Sequence, residues 1–200
     1  NEEACAEISL GGKKDVDKAV SAAKKAFETW AFSKKEERLE LLEKLYVVYK
    51  KRWAEMAKLI STEMGAPMKF STQMQAATGA SHIKSFKNIL KDFKFEKDLG
   101  EEKNNQKLLY EPKGVCALIT PWNWPINQVN LKVIPALASA CTVVLKPSEI
   151  APLSSMLLAE MIDEVKFPAG VFNLVNGDGA ITGDALTSHP DINMISFTGS

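Results

Sequence analysis

The apolar positions change their period partway along the chain. Up to about residue 92 they recur every three or four residues, the spacing of helices with one buried face. Val16, Ala19, Val20, Ala23, Phe27 and Trp30 form a first stripe, with Asp15 placed as its N-cap. Ser33-Lys34-Lys35-Glu36 has the order of a capping box and predicts a second helix start. The stripe that follows runs Leu39, Leu42, Tyr46, Tyr49, Trp53, Met56, Ile60 and Met64, too long for one globular helix, so a break near Lys51 is expected. Gly65-Ala66-Pro67 ends it. A third stripe, Phe70, Met74, Ala77, Phe86 and Leu90, predicts a helix that carries those side chains into the core.

From Asp92 to Pro112 the period shortens. Phe93-Lys94-Phe95-Glu96 alternates, Lys107 to Glu111 reads as a second short strand, and a polar turn from Gly100 to Asn105 joins them. This hairpin carries too few apolar residues to be stable alone. Beyond Gly114 short apolar runs alternate with helical stretches. Strands are expected at Val115–Ile119, Thr142–Leu145, Val171–Val175 and Ile192–Phe197, with helices at Asn127–Ala138, Ser154–Val165 and Ile181–Leu186. That alternation predicts an α/β fold with a parallel sheet. Ser154 and Ser155 are read as helix caps.

Composition narrows the partners. The 200 residues are 46% hydrophobic, and 25 Lys and Arg balance 25 Asp and Glu, so nothing attracts nucleic acid or an anionic membrane in general. No run of about 18 apolar residues could span a bilayer. Cys5, Cys116 and Cys141 are widely separated and form no metal or disulfide framework, which predicts a reducing, cytoplasmic location and no metal. Cys116 and Cys141 fall in or beside apolar strands and are expected in the core. His82 and His189 lack a carboxylate or serine partner at a recognisable spacing and are assigned to structure or surface.

The chemistry-bearing stretches follow the predicted strands. Pro121-Trp122-Asn123-Trp124-Pro125 is a stiff turn, since each proline fixes φ and withholds a donor. It lies at the carboxyl end of a parallel strand, where open α/β sheets bind ligands. Lys146-Pro147-Ser148-Glu149 ends the next strand and can face the same crevice. A carboxylate there can accept hydrogen bonds from both ribose hydroxyls of an adenosine, although Glu149 alone would equally suit the start of a helix. Gly177-Asp178-Gly179-Ala180-Ile181-Thr182-Gly183 follows a strand and opens a helix, but its spacing is one residue too long for the dinucleotide fingerprint.

Taken with Phe197-Thr198-Gly199-Ser200, these motifs in this order resemble the NAD(P)-dependent aldehyde dehydrogenase superfamily. The resemblance covers nearly the whole chain. It implies a three-layer, Rossmann-like parallel-sheet fold with N-terminal helices and a projecting β-hairpin. Residues 1–92 would then be the helical part of the cofactor-binding domain, 93–112 an oligomerisation hairpin and 113–200 the NAD-binding part. It implies that Asn123 is the oxyanion-hole donor and that cofactor contacts come from Ile119, Thr120, Pro121, Trp122, Lys146, Ser148, Glu149, Gly179, Gly183, Phe197, Gly199 and Ser200. NAD is expected rather than NADP, because Glu149 would repel a 2′-phosphate. The implied nucleophilic cysteine and general-base glutamate belong to motifs beyond residue 200. The implied activity is oxidation of an aldehyde to a carboxylic acid by a homodimer or homotetramer. A coenzyme A-acylating relative and a non-catalytic dinucleotide-binding scaffold are the alternatives.

Overall fold

The computed structural model describes residues 3–100 and 106–199, so the tip of the predicted turn (101–105) and Ser200 lie outside the described residues. Five helical segments come first: α1 (Lys13–Trp30), α2 (Lys35–Lys51), α3 (Trp53–Met64), the short α4 (Met68–Phe70) and α5 (Ala76–Asp92), with a π-helical turn, Ser71–Gln75, between the last two. The predicted break falls at Arg52, and Gly65 ends α3 in the left-handed region at φ 72°.

Three local expectations are corrected. Gly12, not Asp15, caps α1, and Asp15 reaches back from the first turn to accept the Gly12 N–H at 2.9 Å. Ser33 makes no capping box. Lys34 holds the cap position of α2, and Ser33 presents its carbonyl and hydroxyl to the buried Arg38 guanidinium, which also donates to the Ala138 carbonyl at 3.0 Å. The third stripe is rotated. The π turn inserts an extra residue per turn, so the buried face becomes Ser71, Gln75, Ala76, Gly79, Ala80, Ile83 and Leu90. Phe70 and Met74, expected in the core, are exposed.

The hairpin strands β1 (Glu96–Asp98) and β2 (Lys107–Leu109) pair antiparallel and are exposed throughout. β1 begins later than expected because Phe93 closes α5, its N–H bonding to Ile89 and Leu90. Phe93 instead packs edge-on against Phe95 and Tyr110, pinning the hairpin's base.

The remainder is a parallel sheet of β3 (Val115–Ile119), β4 (Thr142–Lys146), β5 (Phe172–Leu174) and β6 (Met194–Phe197), in the order β5-β4-β3-β6. Helices α6 (Pro125–Ala138), α7 (Leu153–Glu164) and α8 (Asp184–Thr187) connect the strands. Both faces of the sheet are covered, which is why β3 and β4 are buried at every residue. Val115, Ala117 and Ile119 join Val16, Val20 and Ala23 of α1 and Leu186 of α8 on one side. Cys116 and Leu118 face the other side, with Val129, Val133 and Ile134 of α6 and Leu158 of α7, and α2, α3 and α5 behind them. The result is the expected three-layer α/β arrangement.

The contact between α5 and α6 is close enough to need glycine. A Cβ on Gly79 would sit 2.3 Å from the Tyr49 hydroxyl and 3.1 Å from Ile126, and Asn130 donates to the Gly79 carbonyl at 3.0 Å. This crossing holds the first turn of α6, and with it the turn that precedes the helix.

Candidate functional site

The chain leaves β3 for β4 and β5, then returns to the other side of β3 as β6. The strand order reverses there, and the carboxyl ends of β3, β4 and β6 open into one crevice, the usual ligand position in open α/β sheets. A cleft of about 520 Å³ occupies it. Its walls include Ile119, Thr120, Pro121, Trp122 and Asn123 after β3, Lys146, Ser148 and Glu149 at and after β4, Gly179 after β5, and Phe197 with Gly199 at and after β6. Every described residue of the expected site except Gly183 therefore lies in one cavity.

The sheet's own hydrogen bonds carry the walls past the strand ends. Thr120 N–H donates to the Lys146 carbonyl at 3.2 Å, and Thr198 N–H to that of Ile119 at 3.1 Å. Pro125 opens α6 at a position where a missing N–H costs nothing. Trp124 caps this helix and is bolted down: its indole N–H donates to Thr78 at 3.1 Å, and its ring meets Phe70 edge-on at 5.4 Å. Trp122, 46% exposed, stands free in the cleft wall, so the two tryptophans serve as an anchor and a wall. Asn130, Asn173 and Asn193 spend their side-chain amides on backbone groups, whereas Asn123 is exposed at the cleft.

Lys146 is 2% exposed, an unusual state for an ammonium group. It donates to the Pro147 carbonyl at 2.9 Å and pairs with Glu149 at 3.2 Å. Glu149 sits in a turn, with Leu153 the first residue of α7, so the helix-start reading of this carboxylate does not apply. The Thr120 hydroxyl is buried in the wall without a hydrogen-bond partner. A Cβ added to Gly179 would meet nothing within 4 Å. A buried cation beside a half-exposed carboxylate, an unpartnered hydroxyl and an open glycine can together receive a polyhydroxylated, phosphorylated ligand.

The glycine loop follows β5 and opens a helical turn, as its sequence suggests. A Cβ on Gly177 would fall 1.9 Å from the Thr182 hydroxyl, so this glycine serves packing. The Asp178 carboxylate caps the turn by accepting the Ile181 N–H at 2.6 Å. Gly183 does not line the cleft. It is buried, and a Cβ added there would meet the Lys146 stem only at an ordinary contact distance of 3.9 Å.

Gln128 and Ile150 also line the cleft and were not among the expected residues. Gln128 lies one helical turn past Trp124, to whose carbonyl its N–H donates, so the i, i+4 relation to the motif was the available signal. No cysteine lines the cleft. Cys116 and Cys141 are buried, and contact with Cys141 together with burial pushes the Cys116 thiol above its ordinary range. Among the described residues no cluster of metal-ligating groups occurs and no helix is long and apolar enough to cross a membrane.

The model of the aldehyde dehydrogenase family matches residues 1–200. The chain belongs to the aldehyde dehydrogenase family. A 3-succinoylsemialdehyde-pyridine dehydrogenase from Pseudomonas sp is 51% identical over 194 residues, covering 96% of this chain and 40% of that protein. Among solved structures, an aldehyde dehydrogenase from Bartonella henselae superposes with a TM-score of 0.96 at 59% identity, over 100% of this chain and 42% of that one. A mutant aldehyde dehydrogenase C from Pseudomonas syringae, complexed with NAD+ and octanal, gives 0.93 at 43% identity, over 97% and 39%. The chain thus spans about two fifths of the length of these aldehyde dehydrogenases.

Proposed function

We propose that the protein containing this chain oxidises an aldehyde to a carboxylic acid with NAD, and that this chain supplies the cofactor cleft and the oxyanion donor. The observation that carries the reading is the convergence of Asn123 with Lys146 and Glu149 in one cleft at the carboxyl ends of β3, β4 and β6. The relatives add support, including the NAD+ and octanal complex from Pseudomonas syringae and an NAD+ complex of betaine aldehyde dehydrogenase from Staphylococcus aureus.

In this reading Glu149 accepts hydrogen bonds from the adenosine ribose hydroxyls, and Lys146 donates to the same sugar. Ile119, Pro121 and Phe197 give apolar walls, Thr120 offers its unpartnered hydroxyl, and Ser148, Gly179 and Gly199 complete the contacts among the described residues. Bound NAD supplies the hydride acceptor. A thiol nucleophile and a general base must reach the cleft from outside residues 1–200. When the thiolate adds to the aldehyde, negative charge builds on the carbonyl oxygen, and the Asn123 amide donates to it. A neutral amide does this at any ordinary pH. The exposed hairpin, with Leu99 and Leu109 open to solvent, supports assembly as a homodimer or homotetramer, and the unpaired cysteines suit a cytoplasmic protein.

Turnover is the test. Full-length protein with NAD and octanal is expected to form NADH without coenzyme A, and alkylation of its thiols is expected to abolish the reaction. Absence of NADH across aliphatic and aromatic aldehydes would remove the oxidative reading. A strict need for coenzyme A would replace the hydrolytic outcome with acyl transfer.

A further inference from the structure

The two ends of the loop from Pro147 to Pro152 are held by different parts of the fold. At the β4 end, Lys146 grips the Pro147 carbonyl and the Glu149 carboxylate. Inside the loop, Ser148 accepts from Ile150 N–H with its hydroxyl at 3.3 Å and from Ala151 N–H with its carbonyl at 3.2 Å. At the far end α7 begins without a cap of its own, because Pro152 occupies the cap position and has no side-chain acceptor. The expected serine caps do not act as caps: the Ser155 hydroxyl is buried and unpartnered, and the Ser154 hydroxyl is buried on the Glu63 side.

The cap comes from another helix. Glu63, in the last turn of α3, accepts the Leu153 N–H at 2.5 Å and the Ser154 N–H at 3.2 Å. At the other end of the same helix pair, Arg52 binds Glu160 of α7 at 2.7 Å and Glu55 at 2.8 Å. Thus α3 and α7 lie antiparallel, fastened at both ends. Burial pushes the Glu63 carboxyl up, and the Ser154 side chain together with the Leu153 and Ser154 backbone N–H donors pulls it back towards the charged form.

We propose that Glu63 is a positioning residue for the cofactor cleft: by capping α7 from α3, it fixes the far end of the loop that presents Ser148 and Glu149. This rests on the reading of the cleft as an NAD site. Glu63 touches no part of the cleft itself, and its effect runs through the loop.

The test is a double-mutant cycle in the full-length enzyme, with KM for NAD and for aldehyde, kcat and melting temperature measured on each variant. Glu63→Gln replaces two carboxylate acceptors facing N–H donors with an amide, and is expected to raise KM for NAD about five- to thirtyfold. At saturating NAD, kcat and the KM for aldehyde should change little. In a Glu149→Ser background, Glu63→Gln should have much less effect on KM for NAD, because the group it positions is gone. Glu63→Asp, which keeps the charge, should restore part of the loss and takes the place of Glu63→Gln in the cycle if that variant does not fold. Equal effects of the Glu63 change in both backgrounds, or none on KM for NAD, would overturn the positioning role. If Glu149→Ser alone leaves KM for NAD unchanged, the ribose reading falls instead.

Discussion

Asn123→Ala in the full-length enzyme is expected to lower kcat by about 10²–10³, the usual loss for one oxyanion donor. The KM for NAD should hardly move, since in the proposed role the amide serves charge that develops only in the transition state. Asn123→Asp should be at least as damaging, because a carboxylate repels a developing oxyanion. The structure sharpens the control. Trp124 and Pro125, not Asn123, anchor the turn through Thr78, Phe70 and the first turn of α6. The Ala variant should therefore keep its melting temperature. Near-normal kcat with a lowered melting temperature would make Asn123 a structural residue.

Glu149→Ser is expected to raise KM for NAD by about 10- to 100-fold, from the loss of hydrogen bonds to a charged acceptor. Discrimination against NADP should relax, because the repulsion toward a 2′-phosphate disappears while Lys146 remains. Loss of the partner carboxylate leaves the Lys146 ammonium buried with only the Pro147 carbonyl. The Glu149 side chain is 41% exposed, so solvent screens much of that pairing and the stability cost is discounted accordingly. Unchanged KM values for both cofactors would leave Glu149 as a partner for Lys146 and nothing more.

The parallel sheet was legible because its strands are short, predominantly apolar and separated by helical stretches, and only a two-sided sheet buries Val115–Ile119 and Thr142–Lys146 completely. The cleft was legible because its motifs sit where those strands end. What escaped has physical reasons. The π turn at Ser71–Gln75 leaves no propensity signature, yet it rotates the whole face of α5 and brings Phe70 to Trp124. Gly183 belongs to the same glycine-rich stretch as Gly179, but only packing shows that one faces the cleft and the other faces the Lys146 stem. Glu63 lies 90 residues from Leu153, and no local pattern can announce a cap supplied over that distance. The serines at the start of α7 suggest self-capping, yet the cap comes from α3.

In the proposed complex NAD lies across the ends of β3, β4 and β6 with its adenosine ribose at Lys146 and Glu149. A crystal structure of the full-length protein with NAD bound tests this most directly. Ribose hydroxyls are expected within hydrogen-bond distance of Glu149 and Lys146, with the nicotinamide end directed toward the Asn123 side of the cleft. A dinucleotide seated outside this cleft, or a ribose held away from residues 146–149, would contradict it.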